Sequence, residues 1–356
     1  MIDDEDAILQ ELERLEAGGI TYAHYKPLTE AADEFIAWAS TPEDRVYTGI
    51  ASLDSAMRGT APGELTLIQG FTHSGKTLVA TEMLINNQDT GICLFTPDET
   101  RPLVLTKLAS AKHGVDIRAL ERRIQDDDIS ARNLLIDTAR EFSNLAVFDD
   151  SVTVVDMSRM LAEVRHATDR EVKAVVFDYA SLLEGGDDIK GKITALKSWG
   201  KREHVAMFVI HQSSRTSGSG GKRQTIDSGE YGGEQQATHV IGVRRKKYMH
   251  YAMIATLEEK IANASNPKSI EEYHSKITEI RERLLPQDEN TITISLVKNK
   301  RPPCELVDDE DYIIDSDTGK LRRQVASVGL DGAVVRTTKA ALRSVQPKPW
   351  EERTLL

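Results

Sequence analysis

The chain has 356 residues, 40% hydrophobic and only 5% aromatic, which suffices for a sizeable core and argues against global disorder. No run approaches the roughly 20 apolar residues of a membrane span, the N-terminus is acidic rather than a hydrophobic leader, and two cysteines (Cys93 and Cys304) exclude a disulfide scaffold or a cysteine-based zinc site. The net charge of −12 is concentrated at the start, where residues 1–44 hold 12 acids against 2 bases; the remainder is near neutral, so its basic loops can still meet phosphate. A cytoplasmic protein without a membrane part is expected.

Residues 3–17 read as a short amphipathic helix, with Ile8, Leu12 and Leu15 on one face and acids at its positive end. A second helical stretch runs from Leu28 to Trp38. Neither can bury its stripe alone, so residues 1–45 form an arm that packs on its own chain or on a neighbour. From Thr48 short apolar runs alternate with helical stretches: Leu65–Gln69, Ile92–Thr96, Leu145–Phe148, Ala174–Phe177, Ala206–Ile210, Val240–Val243 and Ile292–Val297. That alternation is the pattern of an α/β sheet with crossover helices. Residues 213–224 are a glycine- and serine-rich loop with three bases. Residues 250–285 read as a helical hairpin, with Met253, Ile254, Leu257 and Ile261 on one arm. Ile270, Tyr273, Ile277, Ile280 and Leu284 lie on the other, opened by a Ser269–Glu272 capping box. Residues 315–356 hold a strand pair and a loose tail.

The sharpest motif is Gly70-Phe71-Thr72-His73-Ser74-Gly75-Lys76-Thr77, which fits G-x-x-x-x-G-K-[ST] between an apolar strand and a helix. Its glycines bring backbone N–H groups close to phosphate oxygens, and the helix N-terminus adds positive potential. Gly70, Thr72, His73, Ser74, Gly75, Lys76 and Thr77 are therefore candidates to cradle ATP. Lys76 would reach the β- and γ-phosphates, and Thr77 would ligate Mg²⁺. A second magnesium ligand is expected at Asp178, where the strand Val175–Phe177 ends. Hydrolysis needs a carboxylate to orient water, and Glu99 or its neighbour Asp98 at the end of the Gly91–Phe95 strand supplies it. Gln212, closing the Val205–Ile210 strand, is placed to sense the γ-phosphate.

Together these pieces resemble the RecA-fold ATPase domain of DnaB-type hexameric replicative helicases, in a bacteriophage version. Thr48-Gly49, Leu53-Asp54, Gly59 and Pro62-Gly63-Glu64-Leu65 are similar to that family's lead-in to the motif. So are Asp149-Asp150, Phe177-Asp178-Tyr179 with Leu182-Leu183, Gln212-Ser213-Ser214-Arg215, and Asp227-Ser228-Gly229 with Gln235-Gln236. The resemblance covers residues 46–314 apart from the insertion at 250–290. It implies a RecA-like P-loop NTPase core with a parallel-rich twisted sheet, preceded by the helical arm (1–45) and followed by strands and tail (315–356).

It further implies a homo-oligomer, a hexameric ring, with ATP between subunits and basic residues supplied in trans. Lys298 matches the family's trans lysine. The following position, usually arginine, falls on Lys300 with Arg301 adjacent, and a lysine cannot form the guanidinium fork. The family's channel loops map to Gly185–Lys192, with Lys190 and Lys192, and to Ser213–Gln224, with Arg215, Lys222 and Arg223. Their lack of aromatics suits backbone contact with single-stranded DNA, independent of sequence and sensitive to salt. An acidic stretch of about 45 residues stands in place of the family's usual N-terminal domain, and the hairpin is not a general family feature. Replication proteins are possible partners. A RecA-fold ATPase that assembles on DNA without unwinding it, in recombination or helicase loading, and a regulatory P-loop ATPase that switches protein partners are the competing readings.

Overall fold

A computed structural model describes residue 28 and residues 30–168, 171–185, 188–212 and 233–324, together with the backbone of 326–328 and 334–336. The 3–17 helix and the 213–224 loop lie outside the described residues. The chain divides into two units at Glu43/Asp44. In the first, helix α1 runs Glu30–Ser40, two residues later than the sequence pattern, and Phe35 stacks on Trp38 with ring centroids 5.4 Å apart. Phe35 and Ile36, expected on a packing stripe, are exposed within this unit.

In the second unit, nine described strands form one sheet in the order β3-β2-β4-β5-β1-β6-β7-β8-β9. They are β1 (Leu65–Gly70), β2 (Gly91–Phe95), β3 (Leu145–Phe148), β4 (Val172–Phe177), β5 (Ala206–Gln212), β6 (His239–Arg245), β7 (Thr291–Asn299), β8 (Val307–Ile314) and β9 (Leu321–Arg323). The first six strands of the order run parallel. From β6 onward the pairing is antiparallel. All seven apolar runs are strands, and β8 and β9 carry the sheet past residue 314. A separate hairpin pairs β10 (Ala326–Val328) with β11 (Val334–Arg336).

The central strands are apolar throughout because both faces are covered. Leu65, Leu67, Phe95, Phe177 and Val209 face a core shared with α7 (Val154–Thr168) and α8 (Ile189–Glu203), centred on Trp199. Ile68 and Ile210 face the opposite layer, with Leu53 and Met57 of α2 (Ala51–Met57) and Val79 of α3 (Lys76–Asn86). Leu94 and Phe208 pack there with Val104 and Leu108 of α4 (Arg101–His113). Helices α5 (Ile117–Gln125) and α6 (Ile129–Glu141) follow α4 and are capped by Asp116 and Asp128.

The insertion is a helical hairpin, as its pattern predicts, but it spans more: α9 (Lys246–Asn263), α10 (Pro267–Glu279), a π-turn at Ile280–Leu284 and α11 (Leu285–Asp288). Ile254, Ile277 and Ile280 form its small core. The second arm starts earlier than the expected capping box. Asn266 accepts from Lys268 N at 3.1 Å with Pro267 at the first helical position, so Ser269 is not the cap. At the root, His250 meets Asp288 across 2.9 Å, both buried. Arg244 pairs with Asp309 and Lys246 with Asp311, across the sheet from β8.

Candidate nucleotide site

The parallel strands end at one edge of the sheet, and their register brings the sequence-distant motifs together. Gly70 pairs with Gln212 and Phe95 with Phe177, so the loops after β1, β5, β2 and β4 leave side by side. The loop after β1 turns sharply into α3. Gly75 sits at φ 103°, open only to glycine without strain, and His73 at φ 60°. At Gly70 a Cβ would collide with the Val243 carbonyl and the Ser74 hydroxyl. Gly75 caps α3 without a side chain, leaving the first-turn N–H groups for an anion. The buried Ser74 hydroxyl has no hydrogen-bond partner among the described residues, as suits a donor kept for a phosphate oxygen. ATP phosphates fit this cradle.

Lys76 Nζ donates to the Phe71 carbonyl at 2.7 Å. Burial pulls its pKa down to about 8, against the opposing field of Asp178. Thr77 Oγ1 donates to Asp178 Oδ2 at 3.3 Å. This hydroxyl–carboxylate pair is the donor set that a Mg²⁺ ion on a P-loop takes. Burial pushes the Asp178 carboxyl up to about 6, and the charge of Glu99 adds to the rise; Lys76, the Thr77 bond and Lys107 oppose it. Thr77, Thr96, Glu99, Lys107 and Asp178 line one narrow crevice. Glu99 is half-buried and ion-paired to Lys107, whereas Asp98 is exposed. Thr100 stands at the N-cap of α4. Gln212 Nε2 donates to the Thr72 hydroxyl, tying the end of β5 to the P-loop.

A profile of the family described as DnaB-like helicase C terminal domain matches residues 45–282. The chain belongs to this family. Many solved structures share its fold, two of which illustrate the match. One, reported as the structure of a DnaB-like replicative helicase and its interactions with primase, aligns with a TM-score of 0.61 at 17% identity, over 88% of this chain and 70% of that one. The other, reported as an ATPase domain, aligns with a TM-score of 0.62 at 16% identity, over 84% of this chain and 99% of that one. No curated protein matches the sequence. Membership places the chain among helicase ATPase domains, which in general use ATP with Mg²⁺. Among the described residues no helix is long and apolar enough to cross a membrane.

The remaining expected residues of this DnaB-like domain lie elsewhere. Strand β7 runs against β6, and Lys298 pairs with Val240 near the start of that strand. Lys298 and Lys300 therefore stand at the edge of the sheet opposite their own P-loop. Lys298 Nζ donates to the Glu234 and Gln235 carbonyls at 2.6 and 3.1 Å, and Lys300 Nζ to Gln235 at 3.1 Å. Burial lowers the Lys298 pKa to about 8, helped by the charges of Lys300 and Lys197. Arg301 is committed to its own chain: it is buried, ion-paired to Glu64, and donates to the Arg58 and Gly59 carbonyls at 3.2 and 2.9 Å.

Of the DNA-loop candidates, Lys190 and Lys192 lie in the first turn of α8 rather than in a loop, because Asp188 caps that helix through Gly191 N. Lys192 donates to the Ser181 carbonyl at 2.8 Å, and Lys190 is exposed. Arg215, Lys222 and Arg223 lie outside the described residues. Sequence reasoning missed Lys107, whose only signal is a lysine two turns into the helix after Glu99. It also missed Lys197, which donates to the Gln236 carbonyl beside Lys298.

Proposed function

We propose that the chain is an ATP-driven DNA helicase motor that works as a ring, moving on single-stranded DNA and hydrolysing ATP at subunit interfaces. The observation that carries this reading is the division between the two sheet edges. The P-loop, Asp178 and Glu99 meet at one edge, and the trans-cation candidates Lys298 and Lys300 stand at the other. The Lys298 and Lys300 ammonium groups are turned to the Glu234 and Gln235 carbonyls, before the start of β6 and away from their own P-loop, and so are suited to a neighbour's nucleotide.

In this mechanism the backbone of Gly70–Thr77 and the Lys76 ammonium hold the triphosphate. Thr77 and Asp178 would hold Mg²⁺, which when bound neutralises phosphate charge. Glu99 orients the attacking water and takes its proton, and Lys107 fixes the carboxylate until water displaces that contact. Gln212 links the phosphate end of the site, through Thr72, to the basic segment after β5. Lys300 takes the trans role with Lys298, since Arg301 would have to leave Glu64 to do so. Lys190, Lys192, Arg215, Lys222 and Arg223 contact the DNA backbone.

The test is ATP hydrolysis by wild type and Lys76→Ala, with and without unstructured single-stranded DNA, at low and high salt. Stimulation by DNA that fades with salt and vanishes in the variant is expected, followed by unwinding of a forked duplex. Stimulation without unwinding would support an ATPase that assembles on DNA. Hydrolysis indifferent to DNA would sink the motor reading.

A further inference from the structure

The P-loop is open on two sides that differ in chemistry. On one lies the crevice of Thr77, Glu99 and Asp178. On the other lies a recess of about 420 Å³ walled by His73–Leu78, by Arg245 at the end of β6, and by Asp315, Ser316 and Gly319 of the β8–β9 turn. Thr77 borders both. If the carboxylates serve hydrolysis they face the terminal phosphate. The nucleoside must then leave on the other side, and the recess has the size for one.

The turn is built and held, not loose. Gly319 N donates to the Asp315 carbonyl at 2.8 Å and Asp315 N to the Lys320 carbonyl at 3.0 Å. Ser110 Oγ, which donates to the Val115 carbonyl at 2.6 Å, lies 3.2 Å from the Thr318 carbonyl, so the turn also lies against α4. Gly319 sits at φ 70°, and a Cβ there would come 3.3 Å from Leu78 Cδ2, so the turn lies against the helix that starts at the P-loop. Asp315 Oδ1 accepts from Asp317 N and Thr318 N, each at 3.2 Å, and Oδ2 lies 3.4 Å from Arg322. Partial burial acts to raise this carboxyl's pKa, but the hydrogen bonds from Asp317 and Thr318 outweigh it and hold the group below its ordinary value. An ionised carboxylate has about four acceptor positions, and those on Oδ2 are not filled by the turn. Its charge is offset locally by Arg322 and two amides, so it tolerates a nearby phosphate.

We propose that the Asp315 carboxylate accepts a hydrogen bond from the ribose 2′-hydroxyl of the nucleotide in this recess, so that the chain prefers ribonucleoside over 2′-deoxyribonucleoside triphosphates. The inference rests on the nucleotide-binding reading of the P-loop given above. Arg245 offers a planar cation to the base, and its buried Nε has no hydrogen-bond partner among the described residues.

The experiment is calorimetric titration of the full chain with Mg-ATP, Mg-dATP and inorganic tripolyphosphate, for wild type, Lys76→Ala, Asp315→Ala and Asp315→Asn. Wild type is expected to bind ATP about tenfold tighter than dATP, the worth of a charged hydrogen bond. Asp315→Ala should weaken ATP to the dATP level and leave dATP and tripolyphosphate unchanged. Asp315→Asn keeps an acceptor and the turn, and should retain part of the preference; it decides the matter if the alanine variant does not fold. Equal wild-type affinities for ATP and dATP, or an Asp315→Ala loss shared by ATP and dATP, overturn the proposal. Tripolyphosphate binding that Lys76→Ala leaves unchanged would instead overturn the P-loop reading itself.

Discussion

Ionic groups are treated in opposite ways at the edges of the sheet and along the inserted hairpin. At the sheet edges they are withdrawn from water: Arg301 with Glu64 at one edge, Lys76 and Asp178 at the other, the latter two with pKa values displaced toward neutrality. Along the hairpin beyond its buried His250–Asp288 root, Lys276–Glu272 and Arg283–Glu279 are exposed pairs one helical turn apart, and Arg281–Glu258 is an exposed pair between the two arms. Desolvating a charge costs several kcal/mol unless geometry repays it, so the sheet edges hold interactions that folding or function must use. Solvated pairs cost and contribute little.

The largest expected effect is at Arg301. Removing one partner of a buried pair leaves the other uncompensated, so Arg301→Ala should destabilise the fold by about 3–5 kcal/mol in urea unfolding. Lys300→Ala should leave the unfolding midpoint unchanged and lower only the hydrolysis of assembled protein. If Arg301→Ala were stable and Lys300→Ala silent in hydrolysis, the assignment of structure to one and function to the other would be reversed.

Next comes Asp178→Asn, which should lower Mg-dependent hydrolysis at least about a hundredfold, as expected for loss of a metal contact. The same change should raise the melting temperature. The folded pKa of Asp178, about 6, lies above the ordinary carboxylate value, so its ionised form opposes folding at neutral pH. That penalty fades as pH falls through about 6, and the amide removes it outright. A variant both inactive and less stable would show that the charge is not a cost of function.

The same carboxyl predicts a smaller effect. Mg-dependent nucleotide binding should fall with decreasing pH through a midpoint near 6, as Asp178 takes a proton. Because the charge of Glu99 contributes to that rise, Glu99→Gln should move the midpoint to lower pH, by about one unit or less. A midpoint that stays put would mean that Glu99 does not face Asp178 across the crevice.

The contrast also explains what the sequence could show. The strands are legible because burial on both faces writes uninterrupted apolar runs, and the P-loop because its glycines are demanded by backbone geometry at Gly70 and Gly75. The hairpin is legible from its periodicity, though its start is not, since Asn266-Pro267 out-competes Ser269 as a cap. What stays hidden is proximity across elements. Lys197 beside Lys298 and the Asp315 turn against Leu78 are contacts between segments that no local spacing links. Arg301 misleads for the same reason. Its sequence position places it beside the trans-cation candidate Lys300, and only the fold brings Glu64 to it.

The smallest effect is the most discriminating for the hairpin. Lys276 and Glu272 are one helical turn apart, both side chains more than half exposed. Glu272 lowers in pKa chiefly through its hydrogen bond to Lys276, yet water and salt screen such a pair. Lys276→Ala should therefore leave the melting temperature within about 1 °C of wild type and leave DNA-stimulated hydrolysis untouched. Ile277, one residue on, belongs to the hairpin's small buried core, and Ile277→Ala should lower the hairpin's own protection from hydrogen exchange while the P-loop strands stay protected. If Lys276→Ala instead changed hydrolysis, the exposed face would have to be in contact with something in the working assembly. The division between withdrawn and solvated charge would then fail at the place where it looks most secure.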